Sequence, residues 1–280
     1  MMKTIFIALF ALLGVSCASQ PKELKVMTFN MRYDNPEDGI NCWDNRKSGA
    51  AEVIRLQQVD VFGTQELLAH QLDDLKDLLP EYEAVGVGRE DGVREGEFAA
   101  LFFRRDAFRL IDSGNFWLSE TPEKAGSLGW DAACERIVTW AVLKNERLGE
   151  ILFVNTHLDH VGEQARLNSA DLIMKRMQAL GGGDRPIVLT GDFNVAPDAP
   201  VVHRILEGGF LKHALDVADE VKGQKWSWAD YGEQPLDQRE LIDYIFVSNE
   251  FKVRCHEVLP DTLRGAYISD HSPVTAALEL

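Results

Sequence analysis

The sequence predicts an α+β layered sandwich folded as one domain. Short runs rich in β-branched and aromatic residues recur along the chain, while only a few segments have helical spacing. The strands and helices do not alternate strictly, which argues against a Rossmann-type sheet. No repeat, low-complexity tract or long Pro/Ser linker interrupts the chain. So many strands require two sheets.

The predicted strands are apolar runs bounded by turn-forming residues. They cover residues 24–29, 59–64, 82–87, 98–103, 137–143, 151–155, 187–190, 241–247, 251–256 and 274–278.

Two helices are predicted from apolar stripes with a period near 3.6 residues. The first stripe consists of Leu68, Leu72, Leu75 and Leu79. The second lies in residues 163–180, consists of Ala170, Ile173, Met174 and Met177, and stops at the glycines 181–183. We interpret both as amphipathic helices that pack on a sheet.

The N-terminus resembles an export signal over residues 1–18. Lys3 gives a positive start, residues 5–15 are apolar but too few to span a bilayer, and small residues follow. Two processing routes are open: cleavage after Ala18, or lipidation of Cys17 as a bacterial lipoprotein. Either leaves a domain of residues 19–280 that is exported: periplasmic, an outer-membrane lipoprotein, or secreted. A lipid on Cys17 would be its one membrane contact, and we expect a monomer.

The composition excludes several classes of protein. The chain is 45% hydrophobic and 26% charged, which rules out disorder, fibres and polytopic membrane proteins. With 29 basic and 45 acidic side chains, its formal charge is −16. That balance provides no basic surface for tight binding to nucleic acid, although clustered carboxylates are also how proteins hold divalent metals.

Three cysteines remain beyond the signal: Cys42, Cys134 and Cys255. Their spacing matches no zinc motif, so no structural zinc is expected. Two interpretations stay open, namely a disulfide between Cys42 and Cys134 and three buried reduced thiols.

Polar residues stand out at the ends of the apolar strands, where a rigid scaffold can hold them for chemistry. Each one alone could be a turn former or part of an ordinary ion pair; Asp243, embedded in a strand, could pair with a histidine, with Arg239 or with Arg136. Their recurrence indicates a site. The residues are Asn30, Glu66, His157, Asp159, Asp192, Asn194, Asp243, Asp270 and His271.

These motifs resemble the endonuclease/exonuclease/phosphatase superfamily of metallo-phosphoesterases. The specific part is Gly191-Asp192-Phe193-Asn194 together with Ser269-Asp270-His271, and the resemblance extends over residues 24–280. It implies a four-layer α/β sandwich in which two mixed β-sheets pack face to face and helices flank them.

The resemblance also implies a metal site. Glu66 would be the main Mg²⁺ ligand, assisted by Asn30 and Asp270, and Mn²⁺ could replace Mg²⁺. Oxygen ligands of this kind are what Mg²⁺ prefers.

The remaining residues would act on water and phosphate. Asp192 would orient or deprotonate the attacking water, and Asn194 would hold that water or a phosphate oxygen. His271, oriented by Asp243, and His157 would stabilise the phosphoryl oxygens from two sides. Glu97 would partner His157; otherwise it is a solvated turn residue in the acidic, glycine-rich stretch 89–97.

Arg32 and Arg136 are candidates for binding the substrate. Arg32 lies two residues beyond Asn30, and Arg136 begins an apolar strand. Each could grip a phosphate oxygen or form an ordinary salt bridge.

We therefore predict a Mg²⁺-dependent hydrolase of phosphate esters whose substrate is small, carbohydrate-linked or lipid-linked. Trp43 and Trp130 are expected in loops that wall a pocket, with residues 116–122 as a further rim. The motif Trp226-Ser227-Trp228 is either a membrane-docking hairpin or a pair of tryptophans in the core or cleft wall. Its short length favours the second interpretation. Alternative functions are an extracellular nuclease for scavenging and a non-catalytic binding protein that retains the fold.

Overall fold

A computed structural model describes residues 23–280, except Gly182 and Asp184. The predicted signal peptide and Cys17 lie outside the described residues, so both processing routes remain predictions. No helix within the described part of the chain is long and apolar enough to cross a membrane.

The first sheet is mixed and has seven strands. They are β1 (Glu23–Asn30), β2 (Val61–Gln65), β3 (Tyr82–Val85), β4 (Leu101–Arg104), β10 (Glu220–Gly223), β12 (Lys252–Val258) and β15 (Val274–Glu279). Their order is β10-β12-β15-β1-β2-β4-β3. The β1–β2 and β10–β12 pairs are parallel.

The second sheet has six strands. They are β5 (Arg109–Trp117), β6 (Ile137–Asn145), β7 (Gly149–His157), β8 (Ile187–Asp192), β9 (Leu211–His213) and β11 (Asp243–Ser248). Their order is β5-β6-β7-β8-β11-β9, with β7 and β8 parallel. A separate hairpin pairs β13 (Thr262–Leu263) with β14 (Ala266–Tyr267).

Four helices cover the outer faces of the two sheets: α1 (Trp43–Leu56), α2 (Ala69–Leu78), α3 (Glu163–Gly181) and α4 (Pro200–Glu207). The single turn α5 (Ala214–Val217) instead contributes Ala214 to the core between the sheets. Alternation along β1 shows the layers: Val26 packs in the core between the sheets, whereas Met27 packs in the outer core with α1 and α2. A third core joins α3 and α4 to the second sheet. The predicted four-layer sandwich is therefore confirmed.

Buried polar side chains join the two sheets below the edge at which the site lies. Gln65 Nε2 donates to Asn155 Oδ1 at 2.7 Å, and Asn155 Nδ2 donates to the Thr64 carbonyl at 2.8 Å. Thr190 Oγ1 also donates to Asn155 Oδ1, at 3.0 Å. Gly63 leaves the space that this network occupies, because a Cβ there would lie 2.3 Å from Asn155 Oδ1.

Several sequence-based expectations are wrong. Residues 41–44 lead into α1 instead of forming a pocket loop, and Trp43 is buried against the first sheet. Strands β5, β9, β10, β13 and β14 were not predicted: β5 is a polar, partly exposed edge strand without alternation, and the other four are short.

The proposed disulfide is also wrong, because Cys42, Cys134 and Cys255 are all free. Cys42 precedes α1 over the first sheet, whereas the Cys134 thiol lies 3.8 Å from Asp159 beside the second sheet. All three thiols are half-buried, so they are not fully buried core residues either.

Candidate active site

Strand register brings the polar strand ends together at one edge of the sandwich. In the second sheet, Asp192 at the end of β8 is paired across the strands with His157 on one side and Asp243 on the other. In the first sheet, Asn30 ends β1 beside Gln65 of β2. Parallel strands present their carboxyl ends at the same edge, and at this edge His157, Asp192, Glu66 and Asp270 line one cleft of about 580 Å³.

Asn30 connects the two sheets at the floor of this cleft. Its Nδ2 donates to Glu66 Oε1 and to Asp192 Oδ2, both at 2.9 Å. Its Oδ1 accepts from the backbone N–H of Arg32 at 2.9 Å, which fixes the orientation of the amide. Asn30 thus turns its nitrogen towards the carboxylates, and the amide would have to rotate for its oxygen to bind a metal.

Glu66 and Asp270 line the cleft on the side of Arg32. Glu66 has φ of +64°, an uncommon value that persists where the surroundings hold it, and its Oε2 accepts from the Tyr33 backbone N–H at 3.1 Å. Asp270 Oδ2 lies 3.9 Å from Arg32 Nε. Burial, reinforced by the charge of Glu66, raises the pKa of Asp270 to about 6.

Asp192 occupies the centre of the site. Its side chain is 1% exposed, and its Oδ2 lies 3.6 Å from His157 Nε2 and 3.8 Å from His271 Nε2. Its Oδ1 accepts from the Asn194 backbone N–H at 2.9 Å. Burial and the neighbouring charge of Asp243 raise the pKa of Asp192 to about 7.

The two histidines beside Asp192 differ in protonation. Burial alone would lower the pKa of His271, but the charge and hydrogen bond of Asp243 raise it well above the usual value. Burial, followed by the charge of Arg136, holds the pKa of His157 well below that value. His271 is therefore the cationic member of the pair at neutral pH, and His157 is neutral.

Asn194 and Glu97 flank the neutral His157. Asn194 Nδ2 donates to His157 Nε2 at 2.9 Å, which leaves the imidazole proton on Nδ1. That Nδ1 is buried, has no hydrogen-bond partner in the described part of the chain, and lies 3.9 Å from Glu97 Oε2. Glu97 is thus next to His157, as the resemblance implied, but too distant to hydrogen-bond to it.

Glu97 instead pairs with Arg89, which the sequence analysis did not identify. Arg89 Nη1 donates to Glu97 Oε2 at 2.6 Å. Burial and the charge of Glu66 raise the pKa of Glu97 to about 7 despite this cation. Arg89 lies in the glycine-rich stretch that was read as solvated, and nothing in its local sequence distinguished it.

Arg136 is buried beside His157 and held by two side chains. Its Nε donates to Asp159 Oδ2 at 3.2 Å, and its Nη2 contacts His160 Nδ1 at 2.9 Å. Backbone hydrogen bonds from Gly162, Val161 and Ala133 lower the pKa of Asp159 to about 2, although burial alone would raise it. Nη1 of Arg136 is buried and donates to no described residue, so this arginine combines the salt bridge with an unused donor.

Arg32 likewise combines a position in the cleft with an ordinary salt bridge, the two alternatives that the sequence left open. It lines the cleft, and its guanidinium forms two hydrogen bonds with Asp38, each of 3.1 Å. Its backbone φ is +53°, so this loop turns back sharply after β1.

Arg46 is a second arginine that the sequence analysis missed. It is 1% exposed, and its Nη1 donates to the carbonyls of Met31 at 2.7 Å and Ile268 at 3.3 Å. Its Nη2 donates to the carbonyl of Arg32 at 3.1 Å. Arg46 therefore ties the loop after Asn30 to the segment before Asp270. Arg46 lies three residues after Trp43 on the buried side of α1, a helix that the sequence analysis did not predict.

The donors at this edge fit a divalent cation. Glu66, His157 and Asp192 can each direct one ligand atom into a space where those atoms lie within 4.8 Å of one another. Glu66 and Asp270 would supply only oxygen, which suits Mg²⁺, whereas inclusion of His157 would suit Mn²⁺ or another transition metal. Raised pKa values of Asp192 and Asp270 show that negative charge is crowded here, a condition that a cation would relieve.

The chain resembles known proteins over nearly its whole length. The family model described as "Endonuclease/Exonuclease/phosphatase family" matches residues 27–271. An endonuclease/exonuclease/phosphatase structure from Bacteroides vulgatus is 43% identical, with a TM-score of 0.89, covering 92% of this chain and 99% of that one. A mannosyl-6-phosphatase from Bacteroides thetaiotaomicron is 38% identical, with a TM-score of 0.86, covering 92% of this chain and all of that one.

Nocturnin is a more distant relative. The Xenopus laevis protein is 24% identical over 270 residues, and the match covers 85% of this chain but 66% of that protein. The human nocturnin catalytic domain with bound sulfate is 21% identical, with a TM-score of 0.73, and shares the fold. The family match includes every predicted site residue, from Asn30 to His271, and the members of this family are hydrolytic phosphoesterases. The chain belongs to the endonuclease/exonuclease/phosphatase family.

Proposed function

We propose that this protein is a metal-dependent hydrolase of small phosphate esters, with Mg²⁺ as its metal. The observation that carries the proposal is the arrangement around Asp192. One buried carboxylate lies between a cationic and a neutral histidine, 3.8 and 3.6 Å away, at the floor of an open cleft. A phosphate ester is anionic, so its hydrolysis needs donors and cations around the phosphoryl oxygens and a base for water.

Each side chain has a separate role in the hydrolysis. Asp192 accepts a hydrogen bond from the attacking water and takes its proton as the bond to phosphorus forms. His271, held by Asp243, donates from Nε2 to a phosphoryl oxygen and keeps its positive charge beside the transferring group. The amide of Asn194 holds His157 and reaches the same space. The leaving oxygen departs with the other half of the ester.

The metal would bind at Glu66 and Asp270, with Asn30 or Asp192 completing the set. When bound, it would neutralise phosphoryl charge and polarise the phosphorus. Arg32 pairs with Asp38 beside these ligands, so it is available to orient a substrate oxygen without leaving the cleft wall.

Three features favour a small ester over long nucleic acid. The formal charge of −16 repels a polyanion at long range. The cleft of about 580 Å³ is of the size that encloses a small molecule. A mannosyl-6-phosphatase is 38% identical over nearly the full chain, which supports a carbohydrate-linked ester above a lipid-linked one. An exported location, by the predicted signal, is part of the proposal.

Hydrolysis of p-nitrophenyl phosphate, bis-p-nitrophenyl phosphate, hexose 6-phosphate and plasmid DNA tests the proposal. We expect turnover of a small ester that is lost with EDTA, restored by Mg²⁺, and abolished in Asp192→Ala. Asp171→Ala is the matched control, since Asp171 is an exposed aspartate on α3 that pairs only with Arg204. Cleavage confined to DNA would favour the nuclease. A folded protein inert towards every ester would favour a binding role.

A further inference from the structure

The cleft has two chemically different sides, and one of them lacks a role in the reaction described above. Arg89, Arg136 and His160 line the side next to His157. Trp228, Glu240 and Ile242 line the side next to His271. The first side is cationic, whereas the second combines an aromatic ring, a carboxylate and an aliphatic side chain.

Main-chain hydrogen bonds fix the second side to the reacting residues. Trp228 pairs with His271 as an isolated antiparallel bridge. The Trp228 N–H donates to the Glu240 carbonyl at 3.2 Å, and the Ala229 N–H donates to the Asp270 carbonyl at 3.1 Å. Whatever Trp228 contacts is therefore held at a constant position relative to His271.

Hydrogen bonds of Ser227 also fix the position of this segment. Its hydroxyl accepts from the backbone N–H groups of Ile242 at 2.9 Å and Asp243 at 3.0 Å, and its carbonyl accepts from Ser272 N at 2.6 Å. Ser227 is fully buried. Preorganisation of this kind reduces the entropy lost when a ligand binds.

The Glu240 carboxylate is exposed and forms no hydrogen bond or ion pair with any described residue. Its neighbour Arg239 does not neutralise it, since that guanidinium stacks 5.3 Å from the Trp226 ring and donates to the Gln234 carbonyl at 2.9 Å. The indole N–H of Trp228, which is half-buried, likewise donates to no described residue. A free acceptor, a free donor and a ring face thus share one wall.

We propose that Trp228 and Glu240 form the subsite for the sugar half of a sugar phosphate. An aromatic face packs on the C–H face of a sugar ring, while a carboxylate accepts hydrogen bonds from adjacent hydroxyls. The same carboxylate repels a second phosphate and has nothing to pair with in an acyl chain. This subsite deepens the proposed phosphoesterase function and rests on it for its biological meaning.

Hexose 6-phosphate and n-propyl phosphate separate sugar recognition from hydrolysis, because the second ester has neither ring nor extra hydroxyls. We expect the wild type to prefer the hexose ester in kcat/KM by at least about 10-fold. Glu240→Ala and Trp228→Ala should each reduce that preference about 10-fold, mainly through KM, with hydrolysis of n-propyl phosphate little changed. Trp228→Phe should retain most of the preference for the hexose ester. Glu233→Ala, an exposed glutamate in the same segment, should behave as wild type.

Equal kcat/KM for the two esters in the wild type would overturn the proposed sugar subsite but would still agree with the proposed phosphoesterase activity. A preference that survives both alanine variants would also overturn the subsite. Calorimetric binding of hexose 6-phosphate to Asp192→Ala, with and without Glu240→Ala, tests the subsite without turnover. If the wild type hydrolyses neither ester while binding to Asp192→Ala still depends on Glu240, the proposed function is contradicted and the subsite is supported.

Discussion

Asp243 Oδ2 lies 2.8 Å from His271 Nδ1, and both side chains are buried below the cleft. Because Asp243 lies directly across from Asp192 in the sheet, the same carboxylate orients His271 and crowds Asp192 with negative charge. The pair therefore aims an imidazolium at the reaction centre while its Nε2 remains free to donate.

The first prediction concerns this pair. Asp243→Asn retains the shape of the side chain but removes the charge that holds His271 protonated, so we expect kcat on p-nitrophenyl phosphate to fall about 100-fold or more. KM should change less. Thermal melting should show that the variant folds, and Asp171→Asn should retain wild-type kcat. An unchanged kcat in a folded Asp243→Asn protein would remove the pair from catalysis.

The second prediction concerns Arg46, whose guanidinium donates to carbonyls in the loop after Asn30 and in the segment before Asp270. Arg46→Met leaves those buried carbonyls without donors, and we expect the free energy of unfolding to fall by about 3 kcal/mol. The loops bearing Asn30 and Asp270 should loosen, which would weaken Mg²⁺ binding measured by calorimetry. Arg55→Met is the control on the same helix, because Arg55 pairs only at the exposed surface. Equal denaturant midpoints for the two variants would contradict the assignment.

The sequence supported prediction of the residues that break an apolar pattern. Asp192 ends the buried strand β8, Asp243 begins the buried strand β11, and His271 lies just before β15, so each needed a reason to be there. Glu66 follows the buried strand β2 in the same way. Because β11 is antiparallel to β8 and β15 is antiparallel to β1, the amino ends of β11 and β15 lie at the same edge as the carboxyl ends of β8 and β1.

Residues that act through long-range contacts could not be found in this way. Arg89 reaches Glu97 through a loop with no regular period, and Arg46 meets Ile268, which is 222 positions away in the chain. Strand β5 was missed because an exposed edge strand does not need an alternating apolar pattern. The opposite protonation of the two histidines depends on Asp243 and Arg136, whose proximity only the fold determines.

The third prediction concerns Gly63, which faces the polar network between the sheets. A Cβ at this position would lie 2.3 Å from Asn155 Oδ1 and 2.4 Å from Thr190 Oγ1. Gly63→Ala should therefore break hydrogen bonds at Asn155 and lower the free energy of unfolding by about 3 kcal/mol in urea denaturation. Gly181→Ala is the control, because its Cβ would meet only the end of the Ile187 side chain, at 3.2 Å. If both variants unfold at the same urea concentration, the space at Gly63 is not needed.

The fourth prediction concerns His256, which is fully buried between the sheets beside His213, with 6.1 Å between the ring centroids. Neither ring nitrogen of His256 has a hydrogen-bond partner among the residues that the structure describes. Burial, together with the nearby His213, lowers the pKa of His256 from 6.5 to about 4. Asp216 lies 3.6 Å from His213 Nδ1 and is exposed, so its charge does little to offset the lowering of the His256 pKa.

Between those two pKa values the unfolded chain binds more protons than the folded one, so this histidine makes stability rise with pH in that window. From pH 7 to pH 5, His256 should cost the native state about 2 kcal/mol. We expect the difference in unfolding free energy between wild type and His256→Leu to shift by that amount over this range, in favour of the variant. His203→Leu, at an exposed histidine on α4, should show no such shift. Parallel pH profiles for wild type and His256→Leu would mean that His256 is paired with a proton acceptor that stabilises its cationic form in the folded state, contrary to the geometry between the sheets.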